Sequence, residues 1–365
     1  MTTLADLPIR DDLRGRSPYG APQIRVPVAL NVNENTHPLP EAVVDEITAA
    51  LRVAVRGANR YPDREFDGLR EALAGYLGDG VEPGQVWAAN GSNEILQQVL
   101  QAFGGHGRTL MGFAPTYSMY PLLASGTGTA WLAGHRDEGF ELSARTAAEQ
   151  VAQARPDIVV LCAPNNPTGT PLGLDVVEAV YGAFDGIVVV DEAYWEFMPR
   201  GTASATSLLP GRPRLVVSRT MSKAFAFAGV RLGYLACDPA VADALRLVRL
   251  PYHLSALTQA AATVALRHAG EMLAVVDDIV AQRDRISREL TRLGFHPYRT
   301  GSNFVFFGGV PHPRQVFESL LADGVLVREQ SIPGHLRVSA GTAEETGAFL
   351  DAIARLAPLA AHPVS

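Results

Sequence analysis

Between residues 86 and 237 the sequence repeats one alternation: a short, continuous apolar run, then a segment whose apolar residues recur at helical spacing. The runs fall at 86–89, 108–113, 129–133, 157–163, 187–190, 215–218 and 232–237. A strand that is apolar at every position is buried on both faces, and such strands separated by helices form a largely parallel sheet covered on both sides. The expected architecture is therefore α/β, with a mostly parallel seven-stranded sheet flanked by helices. Ahead of it, Pro40 opens a helix carrying Val43, Val44, Ile47 and Leu51, which Gly57 ends, and a second helix spans 67–77. Within the alternation, helices are expected after Gly91, from Pro115 through Tyr120, at 143–154 and at 174–184. After Pro239 the pattern changes. Helices at 240–247, 257–267 and 271–293 precede short strands at 304–307, 325–327 and 336–338, with helices at 313–322 and 342–356. That is a smaller α+β unit. Residues 1–40, rich in turn formers, read as an extended arm laid over another part of the molecule. The expected division is an arm (1–40) joining the small domain, a large domain (41–265) and a small C-terminal domain (266–365).

Composition narrows the function. With 31 basic and 38 acidic residues the formal charge is −7, and no block of five basic residues occurs, which argues against nucleic acid as the main partner. Cys162 and Cys237 lie in apolar strand-like runs and read as reduced core residues, not as a disulfide or a zinc site. The uncharged stretch 109–134 is interrupted by Pro115, Pro121 and several glycines, so no membrane span is expected. The N-terminus, with Asp6, Arg10, Asp11, Asp12 and Arg14, lacks a signal-peptide pattern, and the expected location is the cytoplasm. The nine histidines form no His-x-x-x-His pair, and Cys-x-x-Cys, P-loop, Gly-x-Gly-x-x-Gly and Gly-x-Ser-x-Gly patterns are missing, so no metal is expected.

The stretch from Arg219 to Arg231 carries the strongest chemical signal. Lys223 follows Thr220 and Ser222 and precedes a run of Ala and Phe, Gly229 and Arg231. A lysine in apolar surroundings loses solvation of its ammonium form, its pKa falls, and the free amine can form a Schiff base. The Thr220 and Ser222 hydroxyls and the Arg231 cation suit a phosphate. A lysine at a strand-to-loop edge with no chemical role stays open at this point. In open α/β sheets, ligands bind beyond the carboxyl ends of the strands, and the other candidates fall there. Ser92 and Asn93 open a helix whose N–H groups and dipole favour a phosphate, or they cap it. Asn166 sits in the turn 165–169 and aims an amide at a ligand oxygen, or simply makes the turn. Asp191 ends an apolar strand and so needs a cationic or N–H partner, and Tyr194 follows three residues on. Tyr117 and Tyr120 read as packing residues more readily than as ring-stacking ones. A lysine, a carboxylate after a strand, an amide loop, a tyrosine and several phosphate-friendly positions together meet the needs of pyridoxal phosphate.

Ten segments carry a resemblance: SPYGAPQ (17–23), LNVNENTHP (30–38), RYPD (60–63), NGSNEILQQ (90–98), PTYSMYP (115–121), APNNPTG (163–169), VVDEAY (189–194), RTMSKAFAFAGVRLGY (219–234), LPYHLS (250–255) and LRVSAG (336–341). In these the chain resembles the fold-type I pyridoxal-phosphate aminotransferases and, within them, the histidinol-phosphate aminotransferase family. The resemblance implies that Lys223 forms the Schiff base with pyridoxal 5′-phosphate and that Asp191 pairs with its ring nitrogen. It implies that Asn166 and Tyr194 bond the phenolic oxygen, and that Tyr117 stacks on the ring. Ser92, Asn93, Thr220, Ser222 and Arg231 would hold the phosphate, with Tyr61 reaching across a homodimer to the neighbouring subunit's phosphate. Arg337 would bind a substrate anion with help from Arg328 and Tyr19, and Tyr252 would contribute from the partner subunit. Where the family commonly has Gly-Leu this chain has Ala226-Phe227, which alters packing behind the cofactor. The implied reaction transfers an amino group from L-histidinol phosphate to 2-oxoglutarate. An aromatic amino-acid aminotransferase, or a decarboxylase or lyase on the same fold, remain alternatives.

Overall fold

A computed structural model describes residues 2–3, 6–15 and 20–360. Strand β1 (Val28–Ala29) lies in the arm, and helices α1 (Glu41–Arg56) and α2 (Asp67–Leu77) follow. The main sheet is built from β2 (Val86–Ala89), β3 (Thr109–Ala114), β4 (Ala130–His135), β5 (Ile158–Cys162), β6 (Ile187–Asp191), β7 (Leu215–Thr220) and β8 (Gly233–Cys237). Its spatial order is β2-β8-β7-β6-β5-β3-β4, with β8 alone antiparallel to its neighbours. The expected seven-stranded, mostly parallel sheet is borne out. Every residue of β2, β5, β6, β7 and β8 is buried, whereas the edge strand β4 is largely open on one side. The crossovers are α3 (Ser92–Phe103), α4 (Met119–Gly126), α5 (Ala144–Ala154) and α6 (Leu174–Ala183). Helix α4 begins later than the Pro115 start expected from sequence. Residues 115–118 instead form a turn held from the side, where Thr116 Oγ1 donates to Asn165 Oδ1 at 2.9 Å.

Beyond the sheet, α7 (Pro239–Val248) is capped by Asp238 and α8 (Ala256–Arg267) by Ser255, each through a side-chain oxygen that accepts an otherwise unpaired helical N–H. The single long helix expected over 271–293 is two: α9 (Ala269–Met272) and α10 (Val276–Arg292). The break falls where the chain passes from one apolar core, which includes Met272, to another, which includes Val276. This second core is enclosed by β9 (His296–Pro297), β10 (Phe304–Gly308), α11 (Pro313–Ala322), β11 (Val325–Leu326), β12 (Arg328–Glu329), β13 (Leu336–Ser339) and α12 (Ala343–Ala360). Strands β12-β13-β10-β9 form an antiparallel sheet, and β1 pairs with β11 in parallel. The arm is thereby stitched to the second core, where Leu30 is buried.

Sheet residues that bring charge inside are confined to strand ends. Arg219 on β7 donates Nε to Glu192 Oε2 at 3.0 Å and Nη2 to Ser204 Oγ at 2.8 Å, and its guanidinium lies 4.1 Å from the Trp195 ring centre. Removing one partner of a buried pair leaves the other charge unsolvated. Arg219→Leu is therefore expected to lower stability by about 3–5 kcal/mol in a urea titration. A loss under about 1 kcal/mol, the value of an exposed pair, would show that the network is not holding the strand ends together.

Candidate active site

The carboxyl ends of β5, β6 and β7, the start of α3 and the arm converge on a cavity of about 210 Å³. Lys223 stands just past β7, where the chain leaves the sheet. Its Nζ donates to the Val32 carbonyl at 2.9 Å. Burial, assisted by the Arg337 cation, lowers its pKa to about 8, so a free amine is available near neutral pH. Asp191, the last residue of β6, is 2 % exposed. Burial pushes its pKa up to about 6 even though Tyr120 Oη donates to its Oδ2 at 2.8 Å and Ser218 Oγ to its Oδ1 at 3.3 Å. Both side-chain donors are neutral. A desolvated carboxylate held by neutral donors is suited to a cationic N–H from a ligand. Tyr194 Oη accepts from Asn33 Nδ2 at 2.9 Å and from Asn166 Nδ2 at 3.3 Å, and burial raises its pKa.

A second region of the cavity is built for an anion. Helix α3 has Gly91 at its cap position and no side-chain cap, so the expectation of capping by Ser92 or Asn93 is corrected. Gly91 has φ 87°, and a Cβ there would collide with the Arg231 guanidinium. Gly233 on β8 is equally constrained, since a side chain would run into the backbone of Gly91 and Ser92. The helix start is thus left to offer N–H groups and dipole to an anion, with an arginine drawn close. Arg231 Nη1 donates to Ser222 Oγ at 3.3 Å, and Thr220 Oγ1 donates to the same oxygen at 3.0 Å. Tyr117 Oη donates to Asn93 Oδ1 at 3.3 Å, and its ring meets Tyr120 edge-on at 5.4 Å. An uncapped helix start with hydroxyls and a guanidinium, a desolvated carboxylate and a lysine amine make a donor set that fits a phosphorylated pyridine aldehyde.

Arg337, on β13, donates Nη1 to Asn166 Oδ1 at 2.6 Å and Nη2 to the Asn31 carbonyl at 2.8 Å. With Tyr117 and Asn166 it lines both the first cavity and an adjoining one of about 330 Å³, which Arg328 also lines. Both arginines expected to read substrate anions therefore serve one opening. Arg328 Nη1 donates to the Gly20 carbonyl at 3.4 Å. Tyr19 lies outside the described residues. Tyr61 and Tyr252 are not at this cavity. Their rings stack at 4.4 Å on the surface, with Tyr61 79 % exposed. All the other site residues expected from sequence meet in the two cavities.

Three polar groups of the site escaped the sequence reading: Asn33, Ser218 and the hydroxyl of Tyr120. One available signal went unused, because Lys223 is the only lysine in the chain. Larger cavities of about 760 and 800 Å³ lie elsewhere, so the site is marked by its chemistry and not by size. Among the described residues no cluster of potential metal ligands occurs, and no helix is long and apolar enough to cross a membrane.

Residues 25–353 match the family model for aminotransferase class I and II. The chain belongs to this family of aminotransferases. Its curated relatives include the histidinol-phosphate aminotransferase of Paenarthrobacter aurescens (strain TC1), 61 % identical over 353 residues that cover 96 % of this chain and 95 % of that protein. The histidinol-phosphate aminotransferase of Mycolicibacterium smegmatis (strain ATCC 700084 / mc(2)155) is 54 % identical over 99 % of this chain and 96 % of that one. Within the family, the chain falls among the histidinol-phosphate aminotransferases. The fold is shared with the histidinol-phosphate aminotransferase from Sinorhizobium meliloti in complex with pyridoxal-5′-phosphate, at a TM-score of 0.87 and 24 % identity over 97 % of this chain and 98 % of that one. Aspartate aminotransferase from Thermus thermophilus with maleate has a TM-score of 0.77 at 25 % identity, covering 90 % of this chain and 91 % of that one.

The raised Asp191 pKa has a consequence for stability. The folded chain holds this proton from its ordinary value of 3.8 up to about 6, so without cofactor it loses stability as pH rises through that window, on the order of 3 kcal/mol in total. Asp191→Asn is expected to flatten this decline in urea titrations of cofactor-free protein. Parallel declines in the variant and its parent would assign the effect to another group.

Proposed function

We propose that this chain transfers the amino group of L-histidinol phosphate to 2-oxoglutarate, giving imidazole-acetol phosphate and L-glutamate in histidine biosynthesis. The observation that carries the reading is the meeting of Lys223, Asp191 and Arg337 in one cavity of a chain 61 % identical to a histidinol-phosphate aminotransferase. The cofactor is pyridoxal 5′-phosphate. When bound, it supplies an aldehyde for exchange of amines and a conjugated ring that accepts the electron pair of the broken Cα–H bond.

The chain's own residues do the rest. Lys223 would anchor the cofactor through Nζ and, freed when the amino substrate takes its place, would move the proton from the substrate's Cα to the former aldehyde carbon, which lets the amino group stay behind. A pKa near 8 suits both acts, since the amine is a fair base at neutral pH and its conjugate acid a fair donor. Positioned acid–base groups of this kind contribute ~10²–10⁴ in rate. Asp191 would keep the ring nitrogen protonated. Tyr194 and Asn166 would hold the phenolic oxygen, and Tyr117 would pack on the ring. Ser92, Asn93, Thr220, Ser222 and Arg231 would hold the phosphate. Arg337 and Arg328 take the substrate anions, and a guanidinium fork accepts a phosphate or a carboxylate equally well, as two different substrates in one site require. Tyr19 completes this group.

The assembly we propose is a homodimer with shared sites. Tyr61 and Tyr252 stack on the surface, and Val53, Val55, Leu247, Leu250 and Leu257 are also exposed, an apolar set that a partner subunit would cover. From there Tyr61 reaches the neighbour's cofactor phosphate and Tyr252 the neighbour's substrate. The compartment we propose is the cytoplasm. We divide the chain into the arm (1–40), a large cofactor-binding domain (41–265) and a small domain (266–365).

Lys223→Ala is expected to abolish both the visible band of the lysine–cofactor Schiff base and turnover. Survival of either in the variant contradicts the anchoring role. Asp191→Asn should keep some cofactor but lose most turnover, at least ~10²-fold, because a neutral amide does not hold the ring nitrogen protonated. Substrate choice is read by comparing turnover of histidinol phosphate and of phenylalanine with 2-oxoglutarate as acceptor. Turnover of phenylalanine alone rules out the assigned substrate and leaves the transamination chemistry standing.

A further inference from the structure

The phenol of Tyr194 is held by two amides whose orientations are both fixed. Asn166 presents Nδ2 to Tyr194 Oη at 3.3 Å because its Oδ1 is occupied by Arg337 Nη1 at 2.6 Å. Asn33 presents Nδ2 to the same oxygen at 2.9 Å because its Oδ1 accepts from Ser339 Oγ at 3.1 Å. The remaining groups of Asn33 are also bound: its N–H donates to Ser339 Oγ at 2.9 Å, and its carbonyl accepts from Asn303 Nδ2 at 3.0 Å. Asn33 is 2 % exposed and sits at φ 58°, in the left-handed region that asparagine tolerates better than most residues. A buried residue with every polar group satisfied and an uncommon backbone angle is over-determined by its surroundings.

A phenol oxygen has one proton to give and two directions in which to accept. With Asn33 and Asn166 filling both acceptor directions, the O–H of Tyr194 is left to donate into the cavity that Tyr194 lines. We infer that Asn33 is a positioning residue for the reaction: by occupying an acceptor site of Tyr194 it forces that hydroxyl to act as donor to the cofactor's phenolic oxygen. The inference rests on the cofactor placement proposed above. It gives the arm a chemical task, since Asn33 ties Tyr194, which follows β6, to Asn303 and Ser339, which flank or end strands of the second sheet. The titratable groups that act on Tyr194 include Arg337, Tyr117 and Cys162.

A donor on the phenolic oxygen stabilises its negative charge. Without that donor the charge concentrates there and makes the adjacent Lys223 nitrogen harder to deprotonate, so the pH midpoint of the bound cofactor's visible absorbance rises. The test is that midpoint, measured without substrate, in Asn33→Gly, Asn33→Asp, Tyr194→Phe and the double variant Asn33→Gly/Tyr194→Phe. Glycine keeps the left-handed backbone and deletes the amide, and aspartate keeps the shape but turns an acceptor toward Tyr194. Each Asn33 variant is expected to raise the midpoint by about one pH unit, the size that one hydrogen bond to a charged group supports. The double variant should move no further than Tyr194→Phe alone, because both changes remove one and the same donor. A midpoint unchanged by either Asn33 variant, with Tyr194→Phe still shifting it, overturns the role of Asn33. Additive shifts in the double variant overturn it too. If Tyr194→Phe itself has no effect, the cofactor placement is what fails.

Discussion

The rest of the structure depends on one expensive act, the burial of the Asp191 carboxylate at the end of β6. A strand covered on both faces has no tolerance for charge along its length, so the first place where a charge can be set is its carboxyl end. Even there the carboxylate is desolvated enough to hold its proton to about pH 6. Neutral donors from Tyr120 and Ser218 lessen the penalty without removing it. A cation brought by a ligand removes it. The same geometry recurs at β7, whose end delivers Thr220 and then Lys223 to the same opening. The parallel sheet is thus what concentrates the chemistry, by denying polar residues any other place in its core.

Around that centre the two cores contribute different parts. The groups suited to a phosphate and a ring nitrogen come from α3 and the main-sheet strands, while Arg328 and Arg337 come from β12 and β13 of the second sheet. The arm bridges them. Three consecutive residues, Asn31, Val32 and Asn33, bond respectively to Arg337, Lys223 and Tyr194. Any displacement of the second core relative to the sheet therefore strains contacts to the amine and the phenol together. Register at β1–β11 and the burial of Leu30 hold this segment in place.

Much of this was legible in the sequence because it is encoded locally. Unbroken apolar runs gave the buried strands, and Gly57, Ser143, Asp238 and Ser255 mark helix ends by their own chemistry. Lys223 and Asp191 were visible because each is a charged residue where the pattern demands an apolar one. What stayed hidden is long-range. The bond from Asn33 to Tyr194 spans 161 positions, and nothing in the turn-rich arm distinguishes it from a surface loop. Strands of two residues, such as β9 and β12, have no periodicity to detect. Tyr120 fits an apolar pattern so well that its hydroxyl, which bonds Asp191, goes unnoticed.

The distribution of cations completes the logic. Apart from Lys223, every Lys or Arg in this chain is arginine. A guanidinium keeps its charge at any pH a protein meets, so Arg231 and Arg337 are permanent cations and useless as bases. An amine differs in that burial and a neighbouring cation shift its proton affinity, and both act on Lys223. Arginines crowded around a single lysine do more than attract anions. Their fixed charge repels the ammonium form and lowers the pKa of the one basic side chain lining the cavity that can give up its proton near neutral pH. Fixed charge and exchangeable proton are separated by residue type, and the first tunes the second.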